Sequence, residues 1–167
     1  MPHLTLDQAA DAAIQRLGSI LVTVTVLTPD KEEVSRVFST HPEVYAVGGR
    51  KRLDPAHTSP IWLEQVVAGQ QPFLGADRES VRAFFVDWET IESLGCGAIV
   101  NTPVVYQGET IGSVNFLGAE GSLDEGSSAV ALEITAEATE AVVAARAEAF
   151  PETAFGTASG TFPGGVR

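Results

Sequence analysis

One cysteine, one methionine and three histidines stand among 167 residues, and basic side chains number ten against 22 acidic ones. Each scarcity excludes something. Cys96 alone cannot form an internal disulfide framework, a thiolate cage for zinc or a two-cysteine relay within one chain, which suits a reducing compartment. The net charge of −12 repels phosphate backbones and anionic bilayers, so neither nucleic acid nor a membrane is expected as a partner. The longest charge-free apolar stretches, over residues 20–27 and 96–106, are strand-sized and well short of the roughly 20 residues of a spanning helix. The start, Met1-Pro2-His3-Leu4, has neither the basic cluster nor the apolar run of a secretory signal, and a cytoplasmic location is expected.

What is present suits one domain: 44% of the residues are apolar, enough to fill a single core. We place that domain over residues 1–150 and a flexible, glycine-rich tail over 151–167, where only Phe155, Phe162 and Val166 are apolar beyond alanine. Ala9, Ala10, Ala13, Ile14 and Leu17 recur at helical spacing behind Thr5 and Gln8, which predicts a capped helix stopped near Gly18. The β-branched run 20–27 reads as a strand with Val22, Val24 and Val26 on one face, and a second strand follows over 33–40. Residues 41–60 lose all periodicity and read as one long loop, a form that tends to carry binding or lid segments. A helix is predicted over 60–69, a short strand over 72–74, and helical turns over 78–94 broken near Asp87. The strongest β signal is a hairpin of strands 98–106 and 110–117, in which Pro103 predicts an edge position or a bulge. A final alanine-rich helix is expected to about Phe150, with Ser122 and Glu125 at capping-box spacing.

Within the hairpin, Gly95-Cys96-Gly97-Ala98-Ile99-Val100-Asn101-Thr102-Pro103-Val104, then Gly108 and Ile111-Gly112-Ser113-Val114-Asn115-Phe116-Leu117, resembles the last hairpin of GAF domains, with its N-x-P-V and L/I-G-x-L/V-N elements. Arg36-Val37-Phe38-Ser39 with Pro42-Glu43 and Gly48-Gly49-Arg50 is similar to the second strand and pocket loop of short bacterial GAF proteins. The resemblance spans residues 17–150. It implies an α+β, profilin-like fold: an antiparallel sheet with the terminal helices on one face and a pocket roofed by loops and short helices on the other. Family members bind cyclic nucleotides, bilins, haem or small metabolites, usually in regulators. Several of their signatures are missing. The three-cysteine pattern of free methionine sulfoxide reductases and the N-K-x-F-D-E element of cyclic-nucleotide binders are absent, and Cys96 lies between glycines rather than beside a bilin-attaching histidine. No helix-turn-helix, kinase or cyclase segment accompanies the domain, so output is expected to pass through another chain.

The triplet Arg50-Lys51-Arg52 after Gly48 and Gly49 reverses the sign of an acidic chain, and could present backbone amides and guanidinium groups to an anion. It reads equally as a solvated turn. Tyr45, Trp62, Phe85 and Trp88 could wall a pocket for an aromatic ligand, or pack as core. Asn101 and Asn115, amides among apolar strand residues, must be hydrogen-bonded if buried, so each grips a ligand or fixes a bulge. Cys96 opens a strand that the resemblance places at the pocket floor, and as a lone thiol it is inert unless a base such as His41 stands near. His41 and His57 with Glu43 or Asp54 match no firm metal-ligand spacing, and neither a metal nor a cofactor is expected.

Two functions follow. The first is a small-molecule-binding sensor domain for an anionic or aromatic metabolite, signalling through a partner. The alternative is a small single-domain enzyme that uses the same pocket, with Cys96, His41, Tyr45 and an acid from Glu64, Asp87 or Glu89 as candidate actors. A homodimer through the terminal helices is compatible with both, and Ala131, Ile134, Ala138, Ala141, Val142 and Ala145 offer a small-residue face for it.

Overall fold

Thr5 and Asp124 start the two longest helices by the same device. In the computed structural model, which describes residues 3–151, each accepts a hydrogen bond from the backbone three residues on, while that residue's side chain reaches back to the cap. Helix α1, Leu6–Leu17, ends at Gly18, whose φ of 68° is the left-handed turn that glycine adopts freely. Helix α4, Glu125–Ala149, is capped two residues later than the spacing of Ser122 suggested, by Asp124 with Ser127. The segment 152–167, expected as a flexible tail, lies outside the described residues.

Between these helices run β1 (Leu21–Leu27), β2 (Glu33–Ser39), β3 (Arg50–Arg52), a π-type helix (Trp62–Ala68), β4 (Phe73–Gly75), α2 (Arg78–Phe84), α3 (Trp88–Ser93), β5 (Ala98–Tyr106) and β6 (Glu109–Gly118). The six strands form one sheet in the order β3-β2-β1-β6-β5-β4, antiparallel at every pairing. Alternation then sorts each strand between two layers. Val22, Val24, Val26, Val100, Val104, Val114 and Phe116 face Ala10, Ala13, Leu17, Ala131, Ile134, Ala138 and Val142 of α1 and α4. Leu21, Ile99 and Leu117 face the other way, against Trp62, Val66, Val81, Phe84 and Ile91. This is an α+β sheet with the terminal helices on one face and the short helices on the other.

Of four expectations, two need correction and two hold with a difference. Residues 41–60 are not structureless throughout: Gly48, at φ 95°, turns the chain so that its N–H reaches Arg36 O and Arg36 N–H reaches Gly49 O. The three basic residues that follow therefore extend along β2 as its edge strand, pairing Arg52 with Glu33 and Arg50 with Ser35. Nothing in their side chains favours β structure; charge on an exposed edge instead discourages pairing with another chain. The helix expected over 60–69 winds with an extra residue per turn, Gly69 N–H reaching back to Glu64 O, and turns both Trp62 and Val66 inward. Pro103, expected at an edge position or a bulge, has both in part: β4 pairs only with Ile99 to Asn101, so β5 has an open side where Pro103 sits, and a register shift follows at Val104/Val105. The fourth concerns the α4 face read as a surface for a second copy: Ala131, Ile134, Ala138 and Val142 are buried against this chain's own sheet.

Candidate functional site

The middle of the sheet's second face is polar where it would be expected to be apolar. Strand register explains which residues meet. Arg36, Thr25 and Ser113 are partners across β2, β1 and β6, and Thr23, Asn115 and Asn101 form the next row across β1, β6 and β5. The rows lie about 7 Å apart along the strands, and three strand spacings, about 14 Å, separate β2 from β5. Over these rows the short helices and the segment around β3 enclose a cavity of about 150 Å³. Thr23, Thr25, Ser113, Asn115 and Asn101 floor it; Leu21, Leu117, Trp62, Phe84 and Ile91 wall it; Arg36, Tyr45, Gly49, Lys51 and Asp87 are at its roof.

The floor is cross-linked. Asn101 Nδ2 donates to Asn115 Oδ1 at 2.5 Å, and Asn115 Nδ2 donates to Thr23 Oγ1 at 3.0 Å. Trp62 Nε1 donates to Ser113 Oγ at 3.2 Å, and Ser113 Oγ lies 3.3 Å from Thr25 Oγ1. Hydrogen bonds linked in this way restrain the side chains that make them. Three buried polar atoms of the cavity lining nevertheless have no hydrogen-bond partner: Asn101 Oδ1, Arg36 Nε and Asp87 Oδ1. Buried polar atoms are almost always paired, so three on residues around one hollow are a departure from the ordinary interior.

The roof holds both signs of charge. Arg36 stacks over the Tyr45 ring with its guanidinium carbon 5.0 Å from the centroid, and its Nη1 donates to Ala46 O at 3.0 Å. Burial pulls its pKa below the ordinary arginine value, partly offset by Tyr45 and Asp87. Lys51 is likewise lowered by burial, with Asp87 opposing that shift and Arg36 adding to it. Tyr45 donates its hydroxyl to Asp87 Oδ2 at 2.7 Å, and burial, followed by that bond, holds the phenol protonated well above its usual range. A Cβ on Gly49 would lie 2.7 Å from Arg36 Nη1, so glycine lets the loop rest directly on the guanidinium.

Of the sequence candidates, Tyr45, Gly49, Arg50, Trp62, Phe85, Asn101, Asn115 and Asp87 line the cavity. Arg50, one of the three basic residues read as a possible anion site, is half exposed, pairs with Glu33 at 3.0 Å and stacks on Phe150. Gly48 acts as the turn and does not line the cavity. Trp88 is outside it as well, under Arg82 at 4.7 Å beside a shallow surface groove. Cys96 lies beneath the wall, fully buried, its thiol pushed up to about 11 by burial, and not on the floor. His41 is spent on Thr40, and Glu64 and Glu89 are exposed. His57 reaches the mouth of the cavity, its Nδ1 2.7 Å from Asp54 Oδ1. Among the described residues no group of three histidine, cysteine or carboxylate side chains is placed to hold a metal.

Cavity-lining residues that the sequence did not single out include Arg36 and the hydroxyls Thr23, Thr25 and Ser113. A signal existed. Arg36 interrupts the Val34/Phe38 alternation, and Thr23 and Thr25 alternate with the valines of β1, marking a strand face that is not packed with apolar side chains.

No family model matches the chain, and no curated protein does. Solved structures do. The chain is similar to the GAF domain/HD domain protein from Geobacter sulfurreducens, with a TM-score of 0.64 at 13% identity over 84% of this chain and 91% of that one. It is also similar to the GAF domain of a two-component sensor histidine kinase from Bacillus halodurans, with a TM-score of 0.61 at 12% identity over 87% and 98% of the two chains. A phycoerythrobilin-bound GAF domain from a cyanobacterial phytochrome gives 0.59 at 15% identity over 84% and 86%. The fold is GAF-like. At these identities the likeness concerns the fold and not the ligand.

Proposed function

We propose that this GAF-like chain is a sensor domain that takes a small anionic or aromatic metabolite into the cavity and reports its presence to a partner in the cytoplasm. One observation carries the reading: three unpaired buried polar atoms, on Arg36, Asp87 and Asn101, surround a hollow with both apolar walls and a rigid polar floor. Neighbours of similar fold that come from a sensor kinase and a bilin-bound phytochrome support a regulatory role. Nothing favours the enzyme reading, because Cys96, His41 and Glu64 do not line the cavity and only Tyr45 and Asp87 meet. The helix layer is the proposed route to a second copy or partner. Its outward apolar residues are Ile14 and Leu132, which are 50% and 37% exposed.

Thermal-shift screening of the full chain against a metabolite library tests the proposal. A ligand at a hundred times its dissociation constant stabilises the folded state by about 2.7 kcal/mol. For a domain of this size that raises Tm by roughly 5–11 °C. If no compound raises Tm while circular dichroism reports an intact fold, the sensing function is wrong.

A further inference from the structure

Resting on the sensor reading, we infer that the ligand is a small apolar monocarboxylate, its acid group held at Arg36 and Lys51 and its hydrocarbon body laid against Trp62, Phe84 and Leu117. The charge count at the roof is the first reason. Arg36 and Lys51 make no ion pair among the described residues, and the carboxylate that acts on both is Asp87. Tyr45, which donates to Asp87, keeps its proton and adds no charge. Arg50 and His57 at the rim are matched by Glu33 and Asp54. Two cations and one carboxylate leave the half-buried roof with a single positive charge in excess, and one negative charge cancels it.

Accessible donors stand ready for that charge. Lys51 Nζ and Arg36 Nη2 form no hydrogen bond among the described residues and, unlike Arg36 Nε, neither is sealed off. These are the N–H groups that a carboxylate meets at the roof. Charge then separates the ligand classes. A neutral compound or a zwitterion leaves the excess as it is and an ammonium group enlarges it, whereas a dicarboxylate, or a phosphate monoester at about −1.5 to −2, reverses it. The body follows from the rest of the lining. The floor asks little of a ligand, because Asn101, Asn115 and Thr23 bond to one another and Ser113 bonds to Trp62 and Thr25. The walls are apolar, and a cavity of about 150 Å³ among aliphatic and aromatic side chains takes one benzene ring. A single ring, or an aliphatic chain of similar size, is the body that fits.

Titration calorimetry of the full chain with benzoate, ring-substituted benzoates, cyclohexanecarboxylate and hexanoate tests the assignment, each compared with its carboxamide and with a dicarboxylate of the same body. At least one monocarboxylate binds, and both of its counterparts bind at least tenfold more weakly. Lys51→Met removes the excess charge and narrows the gap between monocarboxylate and carboxamide to less than threefold. Asp87→Asn doubles the excess while keeping an acceptor for Tyr45, and raises the dicarboxylate relative to the monocarboxylate at least tenfold. A general loss of packing would instead weaken all three ligands together. The ligand class is wrong, and the sensor reading stands, if the carboxamide or the dicarboxylate binds the unsubstituted protein as tightly as the monocarboxylate, or if a folded Lys51→Met variant keeps the full gap. The same holds if no monocarboxylate binds while another library compound raises Tm. Failure of every monocarboxylate and every library compound to bind folded protein removes both. Where circular dichroism shows a variant unfolded, the comparison of the three ligand series on the unsubstituted chain decides.

Discussion

Replacing Lys51 by methionine should make the protein more stable. Lys51 sits half-buried on the edge strand β3, paired with Val34, and its ammonium group has neither a hydrogen-bond acceptor nor an ion-pair partner among the described residues. Burial disfavours its charge and Arg36 repels it, while Asp87 opposes these effects. Methionine keeps the length and most of the apolar stem, so the packing against the roof survives and the unpaired charge disappears. Because the site is partly solvated, the gain should be modest, about 0.5–1 kcal/mol. That corresponds to a Tm rise of roughly 1–4 °C. The pH dependence adds a second check. The folded lysine pKa lies below its ordinary 10.5, so between those two values the unfolded chain binds more protons and the unsubstituted protein gains stability as pH rises. The advantage of Lys51→Met should be full at pH 7 and shrink as pH approaches 10.5. Cys96 and Tyr45 titrate in both proteins and cancel in the difference. Urea denaturation followed by the fluorescence of Trp62 and Trp88, at neutral and alkaline pH, measures it. A variant that is less stable at pH 7, or whose advantage does not change with pH, refutes the view that the fold holds the charge of Lys51 at a cost in stability.

Other outcomes follow from the same structure. Gly112→Ala would press a Cβ into the backbone carbonyl of Thr25 on the adjoining strand, where neither chain can give way; a large drop in the urea midpoint, or insoluble protein, is expected, and a midpoint near that of the parent would be incompatible with this pairing. The Cys96 thiol, pushed up to about 11 and fully buried, should react with a thiol reagent at pH 8 only as fast as the protein opens, and quickly in denaturant; rapid labelling of native protein would contradict the burial. Asp124→Ala removes a side chain that accepts from Ser127 N–H at 3.0 Å at the start of α4 and should cost about 1 kcal/mol in thermal melts, whereas an unchanged melt would mean that the capping box is not formed.

Much of this fold is written locally. The alternation of Val22, Val24 and Val26, the hairpin around Gln107 and Gly108, the capping pair Thr5/Gln8 and the break at Asp87 all lie within a few residues of the structure they specify. Local chemistry also marked the aromatic and amide residues that line the hollow, because Trp62, Tyr45, Asn101 and Asn115 stand out against their neighbours. It did not separate Arg50 from Lys51, for the converse reason. Three adjacent basic residues look alike in sequence, and only the pleat of β3 and the position of Glu33 distinguish the cation that is matched from the one that is not.

Sequence by itself determined the elements, their order and the two-sided character of the central strands, since these depend on hydrogen bonds and side-chain periods spanning a few residues. Tertiary structure alone decided where polar atoms went unpaired. Arg36, Asp87 and Asn101 are far apart along the chain and come to one cavity through strand register and the folding of α2 and α3 over the sheet. Whether a buried atom has a partner depends on every element around it, and no window of sequence contains that information.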